Sequence, residues 1–393
     1  MVDVTDISDA VVLAQAERLS SALEAIDFCG WDPYDALSSP PLRVLARGAL
    51  GRRAAIQVLK RSPINLRRLA QVPPHRHTKA LALCVSAYVR LALATGADRY
   101  RQLAISLARD LASRGMASHG GTSWAYDFDV QTRWGFYRAG EPNAVVTAFA
   151  AHALLDVHML AVPHEEFERL AHSAARFTLD ALLVETRQNR FFAYYPGSRT
   201  LIHNANLLVA GVLARCNGTD EDARLAARDA VALTLAHQQA DGAWPYGLDG
   251  GLGWIDGYHT AYILVSLRHY LEMEASDEGE RSLELGLRYY VSRLFEQSGA
   301  PRATSTSLYP IDIHGASSAI WALSTLNDRS SEAEPLARRV LAWTLLHMQR
   351  GDGRFAFQLH ARYRNSVPYV RWNDAHMLLA MASLLRVHQG EQR

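Results

Sequence analysis

The sequence predicts an all-helical chain closed into a ring: an (α/α)6 toroid, in which an inner ring of helices is wrapped by an outer one. Three observations predict it. Six apolar, alanine-rich helical runs begin near residues 79, 143, 205, 259, 315 and 375, a repeat of about 55 to 65 residues that suits two helices and two loops. Charged amphipathic runs alternate with them near 98–114, 164–183, 220–239, 279–296 and 332–349, as an outer layer with one wet face requires. Between outer and inner run stands an aromatic turn and then a polar loop.

That order is clearest at Gln239-Ala240-Asp241-Gly242-Ala243-Trp244-Pro245-Tyr246, followed by Trp254-Ile255-Asp256-Gly257-Tyr258-His259-Thr260 and the apolar run from Ala261 to Leu267. It recurs at Gly351-Asp352-Gly353-Arg354-Phe355 with Arg371-Trp372-Asn373-Asp374-Ala375-His376, at Trp124-Ala125-Tyr126 with Pro142-Asn143, and at Phe192-Ala193-Tyr194 with His203-Asn204-Ala205-Asn206. Weaker copies are His75-Arg76-His77 and Tyr309-Pro310-Ile311-Asp312-Ile313-His314. Parallel inner helices place all six polar loops on one rim. The same rim gathers the free N–H groups and positive dipole ends of those helices, which favours an anionic ligand.

The remaining elements follow in order. Residues 8–25 read as a first amphipathic helix, Asp27 to Asp35 as a turn-rich segment, and 42–60 as a run that is basic and apolar at helical spacing, ended by Ser62-Pro63. We read 1–393 as one toroidal domain, with 1–70 a helical segment completing the outer layer. Glycine-rich pieces at 118–123 and 248–253 fall in rim loops, and strands are expected only as short hairpins at the aromatic turns.

Nearly half of the 393 residues are apolar, ample for a large core, and a formal charge of +1 gives no bulk sign of a nucleic-acid or membrane surface. Cys29, Cys84 and Cys216 form an odd set without CxxC spacing, which reads as reduced thiols. Residues Met1 to Asp6 are acidic and lack the basic and apolar regions of a signal peptide, and no charge-free apolar run reaches about 18 residues. A cytoplasmic location without a transmembrane segment is therefore expected. Lys60 and Lys79 are the only lysines, against 39 arginines, so candidates for a Schiff-base amine are few.

The rim residue types suit two chemistries. Abstraction of a proton beside a carboxylate needs a base, an opposing proton-transfer group and neutralisers of the carboxylate. His259 or Tyr258 fits the base or acid, His203 the opposing group, Asn204 with Arg133 the neutralisers, and Trp254 and Trp372 sugar platforms. Asn206, Asp127, Asp312, His314, Asp374 and His376 complete the expected substrate wall. Glycoside hydrolysis instead needs two carboxylates across the bond, for which Asp129 and Asp256 are the candidates. Blander roles stand beside these. An Asp or Asn ahead of a helix serves as an N-cap, a role open to Asn143, Asp256, Asp312 and Asp374, and Trp124 and Trp244 suit wedges between helices. No short zinc-ligand spacing occurs, and neither a metal nor a cofactor is expected. A non-catalytic glycan-binding or scaffold subunit is a further alternative.

The turn Gln239-Ala240-Asp241-Gly242-Ala243-Trp244 resembles the QW repeat of squalene and hopene cyclases. The wider outer helix–turn–inner helix pattern resembles the toroids of uronate lyases, glucuronyl C5-epimerases and unsaturated glucuronyl hydrolases. Where class II cyclases carry Asp-x-Asp-Asp, this chain has Asp127-Phe128-Asp129-Val130, so the resemblance leaves a terpene-cyclase-like isoprenoid enzyme as a lesser alternative. Over nearly its full length the chain is similar to an uncharacterised bacterial family found among polysaccharide biosynthesis proteins, some labelled delta-aminolevulinic acid dehydratase. The segments are Trp31-Asp32-Pro33-Tyr34-Asp35, Arg61-Ser62-Pro63-Ile64-Asn65-Leu66-Arg67, Trp124-Ala125-Tyr126-Asp127-Phe128-Asp129, His203-Asn204-Ala205-Asn206, Trp254-Ile255-Asp256-Gly257-Tyr258-His259 and Tyr309-Pro310-Ile311-Asp312-Ile313-His314. The resemblance implies a surface-glycan context with possible polysaccharide assembly partners. Together these readings lead us to expect a carbohydrate-active enzyme that removes a proton from an acidic, uronic-acid-type glycan, by elimination or C5-epimerisation.

Overall fold

Alanine and other small residues let six inner helices approach one another closely: α4 (Thr78–Thr95), α6 (Ala144–His158), α8 (His203–Arg215), α10 (Gly257–Leu271), α12 (Ile313–Thr325) and α14 (His376–Leu384). They pack side by side in chain order, and α14 closes against α4, so the ring is complete. A computed structural model describes residues 7–160, 164–216 and 220–386; the acidic residues 1–6 lie outside it. The chain is an (α/α)6 toroid. The inner helices begin within two residues of the positions expected from the sequence.

The outer layer is α5 (Asp98–Ser113), α7 (Glu165–Phe177), α9 (Glu221–Ala236), α11 (Asp277–Arg293) and α13 (Ala333–Met348), with α1 (Asp9–Glu24) against α14 as its sixth member. Caps fix several starts. Asn143 Oδ1 accepts the N–H of Val146, Asp220 those of Asp222 and Ala223, and Ser276 that of Gly279. Trp124 and Trp244 are wedges: each is fully buried, and each indole N–H donates to a last-turn carbonyl of the preceding outer helix, Leu111 at 2.8 Å and Thr234 at 3.0 Å. Gly286 of α11 admits the second wedge, since a Cβ there would stand 2.3 Å from the Trp244 ring.

Of the segment 1–70, the described residues divide in two. Only α1 joins the outer ring. Pro40-Pro41 and Ser62-Pro63 break the rest into α2 (Pro40–Leu45), α3 (Gly48–Arg61) and the turns to Val72, which form a separate layer over one side of the rim. Ala36, Leu37, Ala46, Ile56, Leu59 and Val72 give it a small core of its own. Two buried ion pairs hold it: Arg67 donates to Asp35 at 2.7 Å, and Arg371 to Asp32 at 2.5 Å.

Strands are short. Ile311–Asp312, Gln358–Leu359 and Arg364–Asn365 make a three-stranded antiparallel piece; the other pairs are two-stranded, such as Met116–Ser118 with Gly121–Ser123. Among the described residues α4 alone has the length and hydropathy of a membrane span, and 83% of that window is buried as an inner helix of the ring. Cys84 and Cys216 are buried, Cys29 partly so, and all three are free thiols.

Candidate active site

Each inner helix starts at the rim, so those side chains of its first turn that face inward are brought near one another there. Lys79, Asn204, His259, His314 and His376 occupy such positions on α4, α8, α10, α12 and α14.

Two neighbouring starts are built alike. Asp256 caps α10 by accepting the His259 N–H at 2.9 Å, and its other oxygen accepts the Trp254 indole N–H at 3.0 Å and contacts His259 Nδ1 at 2.7 Å. A carboxylate only accepts, so Nδ1 carries the proton and Nε2 is left as the basic nitrogen. Asp312 caps α12 through the His314 N–H at 2.9 Å and accepts the Trp372 indole N–H at 2.8 Å and Gln358 Nε2 at 2.8 Å. Burial raises its pKa, and these donors oppose the rise.

His314 stacks on Trp372 with ring centroids 4.3 Å apart. Its Nδ1 donates to the Trp372 carbonyl at 3.2 Å, which leaves Nε2 to accept from Tyr262 Oη at 2.7 Å. The His376 Nε2 stands 3.3 Å from the same hydroxyl, and the two imidazoles meet edge to face at 4.0 Å. Both are buried and neutral: burial pushes their pKa values well below the ordinary histidine, and the Lys79 charge pushes the same way. Tyr258 joins the halves, with ring centroids 4.1 Å from His259, 5.0 Å from His314 and 6.0 Å from Trp372.

Lys79 lies on the rings of Phe149 and Tyr262, at 4.3 and 5.2 Å from their centroids. It makes no ion pair among the described residues, and burial, then the Arg371 charge, hold its pKa well below that of an ordinary lysine. The other lysine also reaches this cluster: Lys60 donates to Tyr34 Oη at 2.7 Å, and Tyr34 packs edge-on to Trp372. Arg371 is buried against Tyr126, Phe128 and Trp372. Burial alone would raise the Asp32 pKa, but the charge and hydrogen bond of Arg371 outweigh it and hold Asp32 as a carboxylate.

Several expected site residues point elsewhere. His203 is fully buried with Nδ1 toward Thr234 of outer helix α9, so it does not oppose His259. Asn206 also turns outward, accepting from the Phe192 N–H and donating to the Ala230 carbonyl and Thr234. Both sit one helical face away from Asn204, which is buried with an unpaired Oδ1. Asp374 is turned back to Arg354 at 2.8 Å and to the Phe355 N–H, because a π-helical turn over Val370–Ala375 replaces the cap geometry of α10 and α12. Asp127 caps α4 from a neighbouring loop through Thr78, and Asp129 accepts the Ala139 N–H within its own loop. The stretch aligned with a cyclase acid is thus occupied in holding loops. Arg133 is exposed, donates to the Gly251 carbonyl at 2.8 Å and covers Trp134, with no contact to Asn204.

Tyr262 and Trp134 escaped the sequence reading, and Lys79 entered it only as one of two lysines, not as a rim residue. Trp134, 52% exposed, stacks on Trp254, which stacks on Tyr246, which lies against His259: an aromatic path from solvent to the dyad. The signal for Lys79 was its place in the first turn of an inner helix. Tyr262 lies a turn deeper, where apolar spacing hides it. Among the described residues no group of three His, Cys, Asp or Glu converges as a metal site would. A separate cleft of about 580 Å³ opens on the opposite face, lined by Asp9, Glu334, Arg338 and Arg386, and its acids are already paired with its arginines.

No protein-family model matches the chain, and no curated protein matches it in sequence. Its structure is similar to a cellobiose 2-epimerase from Bacillus thermoamylovorans, with TM-score 0.61 and 11% identity over 79% of this chain and 90% of that one. It is also similar to a D-mannose isomerase (0.58, 11%, 79% and 86%) and to a polysaccharide lyase (0.56, 12%, 80% and 92%). At such identities the likeness carries the toroidal fold.

Proposed function

We propose that this chain is a carbohydrate-active enzyme that moves a proton at a sugar carbon next to a carbonyl or carboxyl group, giving epimerisation or elimination. One observation carries the reading: two acid–base stations flank Tyr258, His259 backed by Asp256 on one side and His314 with Tyr262 and His376 on the other. In the first, His259 Nδ1 is fixed by Asp256 and Nε2 is left as the basic nitrogen; in the second, His314 Nδ1 is fixed by the Trp372 carbonyl and Nε2 accepts from the Tyr262 hydroxyl, so the hydroxyl is the donor that a proton-transfer pair also requires. Trp254, braced by Asp256 at the start of α10, and Trp372, braced by Asp312 at the start of α12, are the sugar platforms.

The structural neighbours, among them an epimerase, an isomerase and a lyase, fit this chemistry. The finer reading is an acidic sugar from polysaccharide biosynthesis. It is supported by the inner-helix N-termini, by Lys79 without a counter-ion, and by the resemblance of several segments to a polysaccharide-biosynthesis family. The hydrolase alternative is weaker, because Asp256 spends both oxygens on Trp254 and His259 while Asp129 belongs to another loop.

The test is incubation with acidic and neutral saccharides in heavy water. Deuterium entering an uncleaved sugar indicates epimerisation or isomerisation, and a new ultraviolet absorbance with cleavage indicates elimination. Cleavage with neither signal overturns the proposal in favour of hydrolysis.

A further inference from the structure

The layer formed by α2, α3 and the turns to Val72 has one side packed on the rim and one side bare. On the bare side Val44, Leu45, Leu50, Val58, Ile64 and Leu69 are each between 62% and 83% exposed. The other exposed large apolar side chains are scattered through the remaining chain, whereas these six fall within 26 residues. Soluble surfaces seldom gather so much aliphatic area without a partner.

The charge of the layer is as one-sided as its exposure. No aspartate or glutamate occurs from residue 36 to residue 97, while residues 43–68 hold eight cations. Taking those eight from the chain's 41 leaves 33 cations against 40 acids, so the remainder is acidic and the layer is a basic island. Arg52, Lys60 and Arg67 are turned inward to Gln131, Tyr34 and Asp35. Arg43, Arg47, Arg53, Arg61 and Arg68 are exposed among the aliphatic side chains.

From this face we infer that the protein docks on an anionic lipid surface, with the aliphatic side chains entering the headgroup boundary and the arginines meeting lipid phosphates. A protein partner fits less well. Protein interfaces centre on aromatic anchors, and no Phe, Trp or Tyr occurs between Tyr34 and Tyr88. The layer lies over the rim, so docking through its outer side turns the histidine cluster toward the bilayer.

The test is co-sedimentation of the full chain with vesicles of phosphatidylcholine alone and of phosphatidylcholine with phosphatidylglycerol. Binding to the anionic vesicles only, weakened by salt, is expected. Arg47→Gln, Arg53→Gln and Arg61→Gln should each weaken it about fivefold, and the triple variant Leu45→Ser/Leu50→Ser/Leu69→Ser should abolish it without lowering the melting temperature. No binding to either vesicle overturns the inference. So does binding that the leucine variant keeps, which is electrostatic adhesion alone, and so does a concentration-dependent dimer lost in that variant while vesicles stay unbound.

Discussion

Replacing Asp256 with asparagine removes the acceptor that sets the His259 tautomer. The carboxylate accepts three N–H groups: the backbone of His259, the ring of His259 and the indole of Trp254. An amide keeps the cap through its carbonyl oxygen, but its NH2 now faces Nδ1 and donates to it. The ring proton moves to Nε2, and the basic nitrogen is lost. A hydrogen bond to a charged group contributes about 1.5–3 kcal/mol, so kcat for deuterium wash-in should fall about 10- to 150-fold. The same oxygen accepts the Trp254 indole N–H, so a smaller rise in KM should accompany the fall in kcat. Complete loss of the cap would cost only about 1 kcal/mol, so the variant should stay folded by circular dichroism. A variant within threefold of the wild-type kcat would refute the assignment of His259 as a base.

The remaining expectations concern the ring and its buried groups. Burial, and then His237, hold His203 at a pKa of about 3. The unfolded chain therefore takes up this proton first, and its contribution to stability is present above about pH 6.5 and lost at about 1.4 kcal/mol per pH unit below it. His203→Gln should flatten the unfolding free energy between pH 6 and pH 4 by that slope; an unchanged slope contradicts its burial as a neutral ring. Trp124→Ala should cost about 3–5 kcal/mol in a denaturant melt, whereas Trp254→Ala, at the rim, should cost about 1 kcal/mol and act mainly on KM. In protein carrying 13C-methylated lysines, the Lys79 signal should titrate well below an ordinary lysine, and a midpoint near the usual value of about 10.4 would remove it from the buried cluster.

The ring was legible because periodicity is a backbone-level signal. An inner helix buried all round reads as an unbroken apolar run, and the wedge turns repeat Trp124 and Trp244 before equivalent loops. The site was legible only by address. The sequence shows which residues open an inner helix, but one residue of helical register turns a side chain by about 100°. That rotation separates Asn204 in the ring from His203 and Asn206 against α9. The bland and functional roles of the aspartates proved compatible: Asp256 caps a helix and orients a histidine with the same carboxylate. Asp374, third in the apparent series, departs because a π-helical turn shifts its loop. The N-terminal layer was misread since basic, apolar helical spacing does not say which surface it will cover.

The central claim is that the two stations flanking Tyr258 act as a proton-transfer pair at one sugar carbon; in an epimerase each would serve one face of it, and epimer-specific exchange tests this most directly. Each epimer of a substrate found in the heavy-water screen would be incubated separately with His259→Asn and with His314→Asn, and deuterium entry followed by mass spectrometry. The account predicts reciprocal defects: each variant loses exchange from the epimer whose proton its histidine removes and keeps measurable exchange from the other. Equal loss from both epimers in both variants, or full activity in either, would contradict it.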